Sequence, residues 1–470
     1  MKRVTSPSSF ESIPRNCSIN GRHLAGTSKG FFPIAEEPCS PILNMASEHL
    51  YTLLLLLPAE SIIAFSLTCK KVYSIVASDT LWEHVCKREW GTISVDAIKS
   101  SPSSSCSNRL QSALPWAMIY KQVMKVESVT CYKVPRFEPF SDIPSPRASH
   151  SLNFISDWLV LFGGGCSGGR HLDDTWMAQI GSTYPNSNVN WRKVETGQPS
   201  GRFGHSCVAM GDHLILFAGI NDRATRLNDT WLGLIVTDVV TGATLKWIQL
   251  TITPPLPPPR GAHAACCLHS RKMVIHGGIG NNGTRLGDTW VLEISENLES
   301  ANWSEVTSNP CPAARSGHTL TCTGKKIVLF GGRGSGYEVK NDVWVLQRGS
   351  LNWVRMEMGV GMGMPLPRVG HTATRVMDGR VLVHGGEDGE RHRKNDFWLM
   401  DVSGRAVKWR KLKGKGYRPI SRSFHRACSD KTGTSFFVFG GMVDGIIHPA
   451  QPAGLMFDND SFFLRLFRFK

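Results

Sequence analysis

Arginine and histidine recur together along this chain in a pattern that could serve anion binding, metal ligation or bracing of the fold. The copies are Arg147-x-x-His150, Arg202-x-x-His205, Arg260-x-x-His263, Arg315-x-x-His318, Arg368-x-x-His371 and Arg422-x-x-His425, spaced 53–58 residues apart. A small pair follows each: Gly163-Gly164, Ala218-Gly219, Gly277-Gly278, Gly331-Gly332, Gly385-Gly386 and Gly440-Gly441. In the first five copies an Asp comes eleven residues after the first member of the pair and opens Asp-x-Trp: Asp174, Asp229, Asp288, Asp342 and Asp396. A guanidinium can grip a carboxylate or phosphate through two parallel hydrogen bonds. A side chain present once in every copy at a fixed place is first a scaffold residue. The histidines are therefore expected as packing groups and not as a metal ring. For the six arginines, bracing against neighbouring backbone competes with recognition of a partner.

A repeat of about 50 residues with paired glycines and recurrent Trp is the signature of a β-propeller blade of the kelch type. Segments such as Trp158–Phe162 and Ile327–Phe330 are short, β-branched or aromatic and bounded by Gly, which reads as strand. A second Trp at 191, 247, 303, 353 and 409 opens another strand, so each unit holds four strands. The sixth copy is irregular, with Asp460-x-Phe462 near its end and no fourth strand after it. Val129–Val134, before Arg147, occupies the place that a fourth strand takes before every other Arg. The expected architecture is a small all-α unit followed by an all-β six-bladed kelch propeller, residues 128–470, closed by this N-terminal strand. Closure removes the strand edges that an open sheet would expose.

In an up-and-down blade the start of the first strand and the loop after Gly-Gly share one rim. That rim carries Arg170, Arg223, Arg226, Arg285, Arg333, Lys340, Arg391, Arg393 and Lys394 against Asp222, Glu338, Glu387, Asp388 and Glu390, and is net positive. The candidate target-binding set is Arg147, Arg202, Arg260, Arg315, Arg368, Arg422, Arg223, Arg333, Arg391 and Arg393. Its expected ligand is an acidic or phosphorylated protein segment. The chain enters the ring at the opposite rim, which leaves the basic rim open.

Residues 1–44 are rich in Ser, Pro and Gly and are expected to be disordered. Leu50, Leu53, Leu54 and Leu57 then fall at i, i+3, i+4 and i+7, with further apolar stripes at Ile62, Phe65 and Cys69 and at Leu81, Trp82, Val85 and Trp90. Three short helices make a core too small to stand without a neighbour. A linker, 92–127, follows, with a helical segment near Trp116–Lys125. Leu57-Pro58-Ala59-Glu60-Ser61-Ile62, Leu67-Thr68-Cys69-Lys70-Lys71 and Asp79-Thr80-Leu81-Trp82 resemble an F-box, spanning 45–91, although its opening Leu-Pro is Met45-Ala46 here and its Trp after the basic pair is Val72. From 45 to 470 the chain is similar to plant F-box/kelch-repeat proteins. That resemblance implies an SCF-type ubiquitin ligase subunit: the F-box docks a Skp-type adaptor and through it a cullin, and the ring binds a target protein. Leu50, Leu53, Leu57, Pro58, Ile62, Leu67 and Trp82 are the adaptor-binding candidates.

The formal charge of +15 raises nucleic acid as a partner, but no stacking aromatics interleave with the Gly-Gly loop cations, so nucleic acid is not expected. Thirteen Cys without a Cys-x-x-Cys suggest free thiols in a reducing compartment, hence nucleus or cytoplasm. The longest hydrocarbon run, Leu53–Leu57, is far short of the roughly 20 residues of a membrane span. No Ser/His/Asp order, phosphate loop or metal-ligand cluster rises above the repeat, so no catalytic site, metal or cofactor is expected. The competing readings are a kelch scaffold whose F-box no longer binds an adaptor and, further off, a kelch metalloenzyme.

Overall fold

The computed structural model describes residues 41–100, 114–134, 143–180, 189–238, 242–359, 363–444 and 455–467. The segment expected to be disordered lies, up to residue 40, outside the described residues.

Helices open the fold: α1 (Ser47–Leu56), α2 (Ala59–Ser66), α3 (Lys70–Val76), α4 (Asp79–Trp90), α5 (Thr92–Ser100) and α6 (Trp116–Met124). Four helices, not three, occupy 47–90. The stripe expected through Cys69 breaks there because Cys69 caps α3, its Sγ accepting from the Val72 amide at 3.5 Å. Val72 and Val76, one turn apart, then face inward. Part of the expected linker is helical as well, since α5 continues directly from Gly91. Trp82 donates its indole N–H to the Val76 carbonyl at 2.8 Å, and the Trp90 ring stacks on Tyr120 of α6 at 5.5 Å.

Beyond them lies a β-propeller-like all-β region. Strand β1 (Ser128–Lys133) is followed by β2 (Ser151–Ile155), β3 (Trp158–Gly165), β4 (His171–Gln179) and β5 (Trp191–Val194), the last four forming an antiparallel sheet in chain order. Three more four-stranded sheets follow, covering the second, third and fourth repeats. The fifth and sixth repeats share one ten-stranded sheet, because β1 joins them. It pairs antiparallel with Leu455–Arg465, as the missing outer strand of the last repeat, and parallel with Ala406–Gly416 of the fifth. The second pairing was not expected.

The first strands of successive repeats adjoin one another in a cycle that returns from the sixth to the first. At the centre the residue before each repeat His donates its amide to its counterpart on the preceding repeat. The chain of bonds runs Ser149 to Phe424, Phe424 to Gly370, Gly370 to Gly317, Gly317 to Ala262, Ala262 to Gly204 and Gly204 to Ser149, at 2.6–2.9 Å. All six adopt positive φ, 55–68°, which three of them tolerate as Gly. Apolar clusters fill the spaces between neighbouring repeats, Phe217, Leu232, Ile275 and Trp303 being one example. The cluster between the fifth and sixth repeats continues into Ile62, Trp82, Trp90 and Val123 of the helices. The helical unit thus completes its core on the β region.

Candidate functional site

The six repeat arginines are 0–1 % exposed. In the first five repeats both Nη atoms grip the Asp of Asp-x-Trp at 2.6–3.0 Å. Nη1 also donates to the carbonyl of the first residue of the small pair at 2.8–3.1 Å, and Nε to the carbonyl two residues upstream. The Trp indole closes the unit by donating to the same Asp at 2.7–2.8 Å. In the sixth repeat Arg422 lies 3.1 Å from Asp458 and sits over the Phe462 ring, while Tyr417 donates to Asp460 in place of an indole. Arg147, Arg202, Arg260, Arg315, Arg368 and Arg422 are therefore removed from the target-binding set. Every one is enclosed beside a carboxylate; Nη2 of Arg422 has no hydrogen-bond partner but is itself buried, so none presents a donor to a partner.

Burial alone would push Asp174, Asp288, Asp342 and Asp396 up, yet the Arg hydrogen bonds and charge hold them below the usual carboxylate range. Burial, reinforced by positive neighbours, pulls the histidines the other way. His263 and His371 fall to about 3, and His150, His205, His318 and His425 fall well below 6.5. Several of these rings meet a hydroxyl of the preceding repeat: His263 with Ser206 at 2.8 Å, His371 with Thr319 at 3.0 Å and His425 with Thr372 at 3.2 Å.

The loops after the small pairs divide into spent and free cations. Lys340 pairs with Glu338 at 2.7 Å and Lys394 with Asp388 at 2.6 Å. Arg333 and Arg393 each approach Glu387 at 3.7 Å, and Arg393 also meets Asp444. Glu387 is itself only 5 % exposed and accepts from Ser423 at 2.8 Å. Arg285 lies over the Tyr337 ring at 4.4 Å. Arg170, Arg223 and Arg391 are exposed and, among the described residues, engaged in no ion pair. Of the predicted set, Arg223 and Arg391 can thus reach a partner, whereas Arg333 and Arg393 are half-buried around an internal carboxylate.

Sequence reasoning missed three apolar groups by this rim: Tyr337, Leu366 and Ile420, 70 %, 61 % and 57 % exposed. Leu366 and Ile420 stand two residues before Arg368 and Arg422, where the other repeats carry Ser145, Ser200, Pro258 and Ala313. That departure from the repeat was the available signal.

The helices meet the opposite rim. Ser94 donates to the Thr432 carbonyl at 3.0 Å and Arg380 to the Val123 carbonyl at 2.6 Å; both turns lie at the strand ends remote from the Gly-Gly loops. Of the adaptor candidates, Leu53, Pro58 and Leu67 are exposed and Leu57 is half-buried. Leu50, Ile62 and Trp82 are buried in the helical core, the inward side of each helix, and touch no surface. The outward positions are instead Leu56, Ile63 and Tyr73, with Leu56 76 % and Leu67 82 % exposed.

A short helical unit fused to a repeat-built, propeller-like β region, braced by an Arg–Asp–Trp unit in five of its six repeats, defines a module of the kelch class. The family model for the KLHDC2/KLHL20/DRC7 kelch-repeats domain matches residues 119–332 and 317–466. An F-box/kelch-repeat protein of Arabidopsis thaliana is 49 % identical over 92 % of this chain and 94 % of its own length. The chain belongs to the F-box/kelch-repeat family. An adagio-like protein of Oryza sativa is 28 % identical over 79 % of the chain, and adagio protein 3 of Arabidopsis thaliana 27 % identical over 86 %; the matches cover 57 % and 63 % of those longer relatives.

Proposed function

We propose that the chain is the target-recognition subunit of an SCF-type ubiquitin ligase, working in the nucleus or cytoplasm and leaving catalysis to the rest of the assembly. Helices α1–α3 dock a Skp-type adaptor and through it a cullin. A six-bladed ring, its last blade completed by β1, holds a target protein on the opposite rim. The cyclic contact of first strands and the circle of amide bonds at the axis support the count of six.

One observation carries the adaptor reading: Leu53 and Leu56 on α1 and Ile63 on α2, with Leu67 just beyond it, remain uncovered although the same helices bury their other side against α3 and α4. Exposed apolar groups on a compact helical unit mark a protein contact. The test is adaptor binding by Leu56→Asp/Leu67→Asp, in which two surface apolar groups become charged. Binding should fall below detection with no loss of thermal stability. Undiminished binding favours the scaffold reading instead.

Target recognition follows from charge together with the exposed apolar groups Tyr337, Leu366 and Ile420. An acidic or phosphorylated segment would meet Arg223 and Arg391 at the rim, where charges act mainly on encounter rate and salt dependence. Arg223→Glu/Arg391→Glu should weaken target capture at low salt and flatten its salt slope. Wild-type capture over the whole salt series would rule these two residues out of the interface.

A further inference from the structure

A cation stands apart from all the braces. Arg426 immediately follows His425, at the place where the other repeats carry Ser151, Ser206, Ala264, Thr319 and Thr372. Its Nε donates to the His150 carbonyl of the first repeat at 2.7 Å. Nη1 and Nη2 have no hydrogen-bond partner and no carboxylate among the described residues. The side chain is half-buried, and these two nitrogens touch space open to a small solute. It stands two residues past Phe424 of the amide circle and its Nε reaches His150, next to Ser149 of that circle, which sets the guanidinium close to the axis. Burial keeps His150 and His425 beside it neutral, and among the described residues no carboxylate pairs with it.

Enclosed charges in proteins are ordinarily paired, because an unpaired one forfeits hydration without compensation. Each repeat arginine obeys this rule through its Asp. We propose that the space beside the axis holds a small inorganic anion, of chloride or phosphate size, on Nη1 and Nη2 of Arg426. The Ser151 hydroxyl, at the same place in the adjoining first repeat, would complete its shell. Burial draws Arg426 down to about 10, which leaves it charged at neutral pH.

The departure from the repeat also supplies the control. His150 has no partner on either ring nitrogen, whereas His425 meets the hydroxyl of Thr372 at 3.2 Å. Arg426→Thr would restore the hydroxyl that four other repeats place here and give His150 the partner it lacks, so the variant is expected to fold at least as well as the wild type.

The experiment is thermal unfolding of the full chain at constant ionic strength, exchanging sodium gluconate for sodium chloride. A ligand bound only by the folded state raises the midpoint saturably, by about 2 °C per tenfold rise in chloride above half-saturation. Wild type should show this rise, Arg426→Lys should keep it in part, and Arg426→Thr should lose it. A wild-type midpoint indifferent to the exchange, or an unchanged chloride response in Arg426→Thr, would overturn the site. Should Arg426→Thr be unstable, crystals of the wild type soaked in bromide decide: an anomalous peak within hydrogen-bond reach of the Arg426 Nη atoms supports the site, and its absence refutes it.

Discussion

Each of the first five repeat arginines satisfies four acceptors at once, two carboxylate oxygens and two carbonyls, as Arg147 does with Asp174, Gly163 and Ser145. Removing one partner of such an enclosed pair leaves the other charge uncompensated, at a cost of about 3–5 kcal/mol. Arg260→Ala should therefore lower unfolding stability by that order in a denaturant titration, whereas Arg223→Ala, on an exposed loop, should shift it by no more than about 0.5 kcal/mol. The buried histidines add a pH dependence. Their folded pKa values lie below the unfolded value of 6.5, so the unfolded chain takes up protons first as pH falls. Their stabilising effect is complete above 6.5 and is lost between there and about 3, at up to about 1.4 kcal/mol per histidine per pH unit. Acid unfolding should set in below about pH 6, before the depressed Asp residues protonate, and replacing His371 by Gln should move the onset to lower pH in circular dichroism.

The helices are built so that inward and outward residues do different work. Ile62 is fully enclosed while Ile63, its neighbour on α2, is exposed. Ile62→Ala leaves a cavity beneath the unit and should cost about 2–5 kcal/mol. Ile63→Ser should leave the unfolding midpoint in place and weaken adaptor binding. A calorimetric scan of both variants beside an adaptor titration separates the two roles. If Ile63→Ser destabilises and binds normally, the outward stripe is structural and the adaptor surface lies elsewhere.

Across the whole molecule β1 has the greatest leverage, because one six-residue strand completes the last sheet and ties it to its neighbour. Without it the outer strand Leu455–Arg465 presents an open edge, a template for pairing with another chain. Deleting 128–134 should yield aggregates in size-exclusion chromatography, while deleting 1–40 should leave a monomer. A monomeric, stable product of the first deletion would show that the edge is protected in another way. The same strand continues from α6 and holds the helical unit to the far rim, so the two proposed interfaces face away from each other.

The period was legible in the sequence because each repeat restates the same strands, glycines and brace, and a signal given six times survives the irregular last copy. The β region, its four-stranded units and the outer-strand role of β1 follow from that period alone. So did the scaffold character of the histidines, since an invariant place within a repeat is a structural place. The pairing of the first five Arg with an Asp 27 or 28 residues later was present in the text but unreadable there, because only folding brings the first and third strands of a repeat together. Exposure was equally hidden. A helical stripe marks Leu50 and Leu53 alike, and the packing of α1 against its neighbours makes one core and the other surface. The parallel seam of β1 with Ala406–Gly416, the carboxylates that neutralise Lys340, Arg393 and Lys394, and the unpaired charge of Arg426 beside the axis all depend on distances between residues remote in the chain, which only the tertiary structure decides.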